Sequence, residues 1–330
     1  MSKLRLTLAC GDYDRTRALR DGIVGVEGVD FNYVALEPEE IFWRMEHHQE
    51  FDASEMSMGT YLIQRGRGED RYTAIPVFPS RSFRHNSIYV HSEAGIERPE
   101  QLKGRRFGVP EYNITAAVWV RGHLQHEYAI LPTDLNWYRG GLHTPGRIEK
   151  ASGQLPPGVS VESIPPGQTL SEMIESGDLD AMHAPRMPDS FRRGSPRVRR
   201  LFPDFRTVEQ DYFRNTGIFP IMHTVVIRTE IYRANRWLAE SLFKAFVRAK
   251  ALCADNLYNT TALPYMLPWM IDELEQTRQV MGADYWAYGL DSNRPTLAAL
   301  TQYAHEQGLT PQQVPLDELF ATSTLDEFKI

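Results

Sequence analysis

The first 65 residues constrain the fold most, because their apolar pattern switches repeatedly between period two and period 3.6. Residues 4–9 alternate as a strand does. The polar turn GDYDRTRAL follows, with Asp14 placed to cap a helix N-terminus. Residues 29–35 predict a second strand, and 38–47 a helix with Ile41, Phe42 and Met45 on its apolar side. Residues 51–57 predict a short strand and 59–65 the start of another helix. This β–α–β–α–β punctuation predicts a parallel α/β sheet.

A second module of the same kind comes next. Strands are expected at 87–90, 106–109, around Trp137 and Tyr138, at 159–164 and at 179–183. Short helical elements are expected at 99–103 and at 170–176, the latter stopped by Gly177. A longer helix is expected from Ala116 to about Tyr128, with Thr115 as its cap. A strand at 219–228 precedes a mostly helical end, at 232–254, 268–280 and 295–306. Chain passages near 85–91 and 218–226 then divide the molecule into two lobes, each a mixed, mostly parallel sheet flanked by helices. Lobe I takes residues 1–87 plus 220–330, with the C-terminal helices, and lobe II takes 88–219. Ligands of open α/β sheets sit beyond the carboxyl ends of the strands, so a cleft between the lobes is the expected site.

The stretch FPSRSFRH, residues 78–85, carries the most chemistry. It places Arg81, Arg84 and His85 at the exit of an apolar run. A guanidinium matches a carboxylate with two parallel hydrogen bonds, and an imidazole changes charge near neutral pH. The pattern suits a small carboxylate ligand and a proton transfer. Side-chain alternation would send Arg81 and Arg84 to opposite faces of a strand, so either the segment is a loop or one arginine serves the ligand alone. The competing structural role is an ion pair with Asp12, Asp14 or Glu55. His223 ends a similar apolar run, and Glu55 and Glu111 leave strands, one in each lobe. All three join His85 as candidates to move the proton, a buried carboxyl being raised toward acid duty. Asn113, Ile114 and Thr115 precede a helix whose free N–H groups favour an anion. Ser57, Asp14, Arg15 and Arg186 are further candidates for contacts to ring hydroxyls or carboxylates.

Several classes are disfavoured. The net charge of −7 argues against a general nucleic-acid binder. The basic run from Arg186 to Arg206 is rich in Pro, Gly and Ser and reads as an exposed loop. Cys10 and Cys253 have no metal-type spacing. The His47/His48 and His123/His126 pairs lack the further ligands a tight zinc site needs. Only a labile divalent ion between Glu55, Glu111 and a histidine is left open. No apolar run nears 20 residues, and the start of the chain has no cleavable leader pattern, so a cytoplasmic protein without a membrane segment is expected.

The stretches DYDRTRAL (12–19), EFDASEMS (50–57), IPVFPSRSFRHNSIYV (75–90), LKGRRFGVPEYNITAAVWVRG (102–122), TGIFPIMH (216–223) and YGLDSNRPTLAALTQYAHEQGL (288–309) resemble the 4,5-dihydroxyphthalate decarboxylase family. That family lies within the type 2 periplasmic-binding-protein-like superfamily. The likeness covers nearly the whole chain. It departs at Gly11, where the family carries Trp. The resemblance implies a two-lobed fold, a cytoplasmic oligomer, and decarboxylation of a dihydroxylated benzene dicarboxylate to protocatechuate. A hydroxyl para to the leaving carboxylate can push electrons to its carbon, so the scheme requires no organic cofactor. The alternatives are a cytoplasmic sensor that binds an aromatic acid without reacting, and a related lyase for another hydroxybenzoate.

Overall fold

The computed structural model describes residues 3–147 and 155–325. The chain divides into two compact units, each with its own sheet. The first comprises Met1–Arg81, Thr216–Ala298 and Val314–Ile330, and the second Ser82–Asn215 and Ala299–Gln313. The sequence-expected boundaries lie a few residues away, at 87/88 and 219/220. The larger difference is residues 299–313, which comprise the end of the helix Arg294–Glu306 and the loop after it and pack with the second unit.

Unit 1 carries β1 (Leu4–Cys10), β2 (Val29–Ala35), β3 (Ala53–Ser57), β4 (Tyr72–Ile75) and β11 (His223–Arg228), numbered along the whole chain, in the order β2-β1-β3-β11-β4. β1 runs parallel to β2 and β3, while β11 is antiparallel to β3 and β4. Central β3 is buried on both sides from Ala53 to Met56, as a strand covered on two faces must be. Its neighbours bury Leu6, Leu8, Val225, Val226 and Ile227, each worth about 1.5–3 kcal/mol when removed from water. The helix Pro38–His48 starts with Pro at its first position and ends at Gln49 in the left-handed conformation.

Unit 2 carries β5 (Ile88–His91), β6 (Arg106–Val109), β7 (Asn136–Arg139), β8 (Val161–Ser163), β9 (Ala181–His183) and β10 (Val198–Arg200), in the order β10-β5-β9-β6-β7-β8. Phe107, Trp137, Val120 and Leu124 pack on one face of this sheet. Leu170, Ile174, Leu179 and Met182 pack on the other. The helix Leu170–Ser176 has a reciprocal cap between Thr169 and Glu172 and stops at Gly177, φ 88°. Gly122 on the helix Thr115–Tyr128 permits a close approach, since a Cβ there would fall 2.1 Å from the Tyr303 ring.

Some local expectations change. Thr115 is the first residue of its helix and Ile114 its N-cap, with no side-chain cap. Asp14 likewise opens a short 3-10 turn and does not cap it. Residues 219–222 lie outside β11, which starts only at His223. The basic run is not simply a solvated loop: it contains β10, which pairs with β5. Arg200 there lies over the rings of Phe191 and Phe205 and donates to the Asn86 carbonyl.

Candidate active site

The sequence candidates fall into both units. Asp14, Arg15, Glu55, Ser57, Arg81 and His223 belong to unit 1, and Arg84, His85, Glu111, Asn113, Thr115 and Arg186 to unit 2.

In unit 1 the site grows from strand register. Glu55 lies opposite Val225, and Ser57 opposite His223. Residues two apart on a strand face the same way, so Glu55, Ser57 and His223 share one face at the carboxyl end of β3. The Nδ1 of His223 lies 2.5 Å from Glu55 Oε1. Tyr13 donates its hydroxyl to the same oxygen at 2.7 Å, and the Gly11 N–H donates to Oε2 at 2.9 Å. The Cys10 thiol adds a longer contact to Oε2 at 3.6 Å. Gly11 and Tyr13 come directly after β1, so two strand ends meet at one carboxylate. Gly11 has a steric reason to be there: a Cβ would fall 2.6 Å from the Tyr13 ring.

The electrostatics derive from this arrangement. Burial alone pushes the Glu55 carboxyl up, yet His223, the Gly11 N–H and the Tyr13 hydroxyl hold it below the ordinary carboxylate value. Burial by itself would permit Glu55 to serve as an acid, the alternative the sequence offers to the histidines. The donors reverse the direction. The cost passes to the neighbours: burial and then the Glu55 charge push the Tyr13 phenol and the Cys10 thiol up, so both keep their protons. His223 is partly exposed and meets the Phe42 ring edge-on at 4.9 Å. A fixed carboxylate on one imidazole nitrogen orients the ring and leaves Nε2 for a reacting partner.

Arg15 is the cation beside this group. Its guanidinium lies 4.3 Å from the Tyr13 centroid and 4.2 Å from that of Trp286. It donates to the Pro79 carbonyl and, at 2.9 Å, to Asp14 Oδ1. Ser57 caps the helix Met58–Gly66, accepting from Thr60 N at 3.4 Å.

Arg81 is held otherwise than a ligand clamp requires. It is buried and donates to Asn293 Oδ1 at 2.8 Å, the Phe219 carbonyl at 2.7 Å and the Ala287 carbonyl at 3.1 Å. Burial lowers its pKa to about 9. Its fork ties the segment after β4 to the segments around 219 and 287–293. Arg84 is buried beside Glu209 in unit 2, where burial lowers it to about 10 and raises Glu209 to about 7. The two arginines of FPSRSFRH therefore do not form one clamp within either unit.

His85 is a core residue of unit 2. Its ring stacks on His123 at 4.9 Å and 9°, beside Phe202 and Tyr212. Burial lowers His85 to about 4 and His183 to about 3, and holds His123 well below its usual value. These imidazoles stay neutral at physiological pH. Glu111 is buried and accepts from Arg147 Nε at 2.6 Å. Asn113 and Thr115 are buried at the start of the helix Thr115–Tyr128, and Arg186 is exposed after β9.

Among the described residues no group of three or more His, Cys, Asp or Glu side chains is placed to hold a metal ion. The Glu55 oxygens already accept from Gly11, Tyr13 and His223. No helix among those residues is long and apolar enough to cross a membrane. Sequence reasoning missed Tyr13 and the Gly11 N–H. Their one signal was position, at the carboxyl end of the first strand.

No family model matches the chain. It is 42% identical to the 4,5-dihydroxyphthalate decarboxylase of Comamonas testosteroni over 330 residues, the full length of both. It is 45% identical to that of Pseudomonas putida over 214 residues, 65% of this chain and 83% of the relative. Among solved structures, the periplasmic aliphatic sulphonate-binding protein of Escherichia coli superposes with a TM-score of 0.55 at 13% identity, covering 98% of this chain and 99% of that one. The fold is thus periplasmic-binding-protein-like, and the chain belongs to the 4,5-dihydroxyphthalate decarboxylase family.

Proposed function

We propose that this chain is a carboxy-lyase that converts 4,5-dihydroxyphthalate to protocatechuate and carbon dioxide, with His223 as the proton donor. Full-length membership of the decarboxylase family supports the reaction and the substrate. The single observation behind the residue roles is the buried Glu55 carboxylate bonded to a partly exposed His223.

The chemistry runs on the substrate's own electrons. The hydroxyl para to the leaving carboxylate pushes density onto the carbon that bears it. Protonated His223 gives its proton to that carbon, and the ring becomes dienone-like. The carbon–carbon bond then breaks, its electron pair restores the aromatic ring, and carbon dioxide leaves. His223 regains a proton from water, so each turnover of a carboxylate substrate consumes one proton. Glu55 is a positioning residue: its charge orients the ring and stabilises the imidazolium. Tyr13 and the Gly11 N–H keep that charge in place. Arg15, clamped between Tyr13 and Trp286, supplies the positive field for the retained carboxylate. No step is assigned to a metal or an organic cofactor. The cytoplasmic location implied by the resemblance is part of this reading.

The test is incubation of chelator-treated protein with 4,5-dihydroxyphthalate, with chromatographic detection of protocatechuate. Catalytic turnover is expected, unchanged by added divalent metal. Stoichiometric binding without product would make the chain a sensor, and turnover only after metal addition would require an ion in the mechanism.

A further inference from the structure

Unit 1 contains a cavity of about 280 Å³ that takes no residue from the Glu55 group. Thr229 lines it one residue past the end of β11, whereas His223 is the first residue of that strand. At about 3.4 Å per residue, the two places lie roughly 20 Å apart along the strand. One wall is the C-terminal segment that covers the edge strand β4. There Phe320 bridges Ala74, and the Ala321 N–H donates to the Ala74 carbonyl at 2.8 Å. The cations of the lining are Arg65 from the helix Met58–Gly66, Arg233 from the helix Thr229–Ala234, and Arg236 from the turn before the helix Trp237–Leu257. Arg233 is engaged by Asp70. Arg65 lies 3.9 Å from the same carboxylate and donates to the Glu318 carbonyl at 3.1 Å. Arg236 has no ion-pair partner among the described residues. The Nε of Arg65 is buried with no acceptor, and a buried donor in that state is costly enough to call for one.

We propose that this cavity is a second binding site, for a small aromatic carboxylate bearing ring hydroxyls. Its volume is at the small end of ligand pockets, with room for one substituted ring. The unpaired Arg236 guanidinium and the Arg65 Nε suit a carboxylate. Leu319, Phe320 and Ala321 give an apolar wall, which a bare inorganic anion would leave unmatched and a ring would cover. The hydroxyls of Thr73 and Thr229, 3.0 Å apart, also line the cavity. A hydroxyl both donates and accepts, so this pair keeps capacity for a ring hydroxyl. Protocatechuate has all three features, and choosing it as the ligand rests on the decarboxylase reading. A site so placed registers accumulated product without occupying the reaction centre.

Equilibrium dialysis of the full chain against radiolabelled protocatechuate, in phosphate-free buffer, tests the proposal. The wild type is expected to bind two molecules per chain, and Arg15→Lys is expected to weaken only one of them. Arg236→Glu reverses the charge of an exposed side chain, so the thermal midpoint should stay near wild type. It is expected to weaken the other molecule at least about tenfold. Initial rates at trace product should stay within about twofold of wild type in kcat and KM. A single bound molecule that Arg236→Glu leaves unaffected would overturn the proposal. So would a loss of turnover in Arg236→Glu as large as its loss of binding. Displacement of the second molecule by inorganic phosphate as readily as by unlabelled protocatechuate would overturn the aromatic assignment. Turnover with one binding site would sink the cavity alone, whereas two sites without turnover would sink the decarboxylase reading alone.

Discussion

The Nδ1 of His223 and the Oε1 of Glu55 lie 2.5 Å apart although 168 residues of chain separate them. Two neighbouring antiparallel strands, β3 and β11, bring them onto one face. Glu55 is fully buried and stays ionised because Gly11 and Tyr13 also donate to it. This pair assigns different effects to its two members. His223→Gln removes the proton donor and is expected to lower kcat by about 10²–10⁴-fold with little change in KM. Glu55→Gln keeps the shape and removes the charge, so kcat should also fall, with substrate affinity retained. A His223→Gln enzyme with most of its turnover would remove His223 from the chemistry.

Arg15 and Arg81 are expected to respond in opposite ways to loss of the guanidinium fork. Arg15→Lys should raise KM by roughly ten- to a hundredfold, the worth of a charged hydrogen bond. Arg81→Lys should act on folding, since its buried fork serves Asn293, Phe219 and Ala287. Unpairing those acceptors costs at least about 2 kcal/mol. Urea midpoints and steady-state kinetics on both variants check the contrast. A large KM effect at Arg81 with unchanged stability would reverse the assignment.

The buried histidines of unit 2 predict acid lability with a definite sign. Burial depresses His85 to about 4 and His183 to about 3, and His123 also falls. An unfolded histidine titrates near 6.5, so below that pH the unfolded chain binds more protons than the folded one. Stability is therefore full above about pH 6.5 and falls as the pH drops toward the folded values. Each group contributes up to about 1.4 kcal/mol per pH unit. His85→Phe keeps the ring stack on His123 and removes one such group. Its urea midpoint should decline less steeply than wild type between pH 6.5 and 5, and parallel slopes would refute this account.

Gly122 is a packing requirement, not a flexible point. A methyl group there meets the Tyr303 ring at 2.1 Å, and Tyr303 is buried. Gly122→Ala gains helix propensity but overpacks, with an expected net loss of about 1–3 kcal/mol. Thermal unfolding measures it, and a variant as stable as wild type would show that Tyr303 can move aside.

Much of the secondary structure was legible because it is local. Strand Val29–Ala35 falls where its alternation puts it, and helix Leu170–Ser176 ends at the glycine expected to end it. β10 was not legible, because Val198–Arg200 looks like a solvated basic run until β5 pairs with it. Nor was the start of β11. FPIMH continues the apolar pattern, but Ser80 takes the Met222 and His223 amides and the ladder with β3 begins only at His223.

The sequence by itself determined the elements, the α/β class and the family, because apolar period, turn residues and motif blocks are all carried by neighbours along the chain. It also contained every member of the Glu55 group. Only the tertiary structure decided which candidates act together. Arg81, Arg84 and His85 are near neighbours in sequence, yet Arg81 became an internal tie in one unit while Arg84 and His85 were buried in the other. Glu55, Tyr13 and His223 are far apart in sequence and became one hydrogen-bonded group. The physical reason is that a side chain's availability for chemistry depends on burial and on which donors reach it, and both are set by strand order and register.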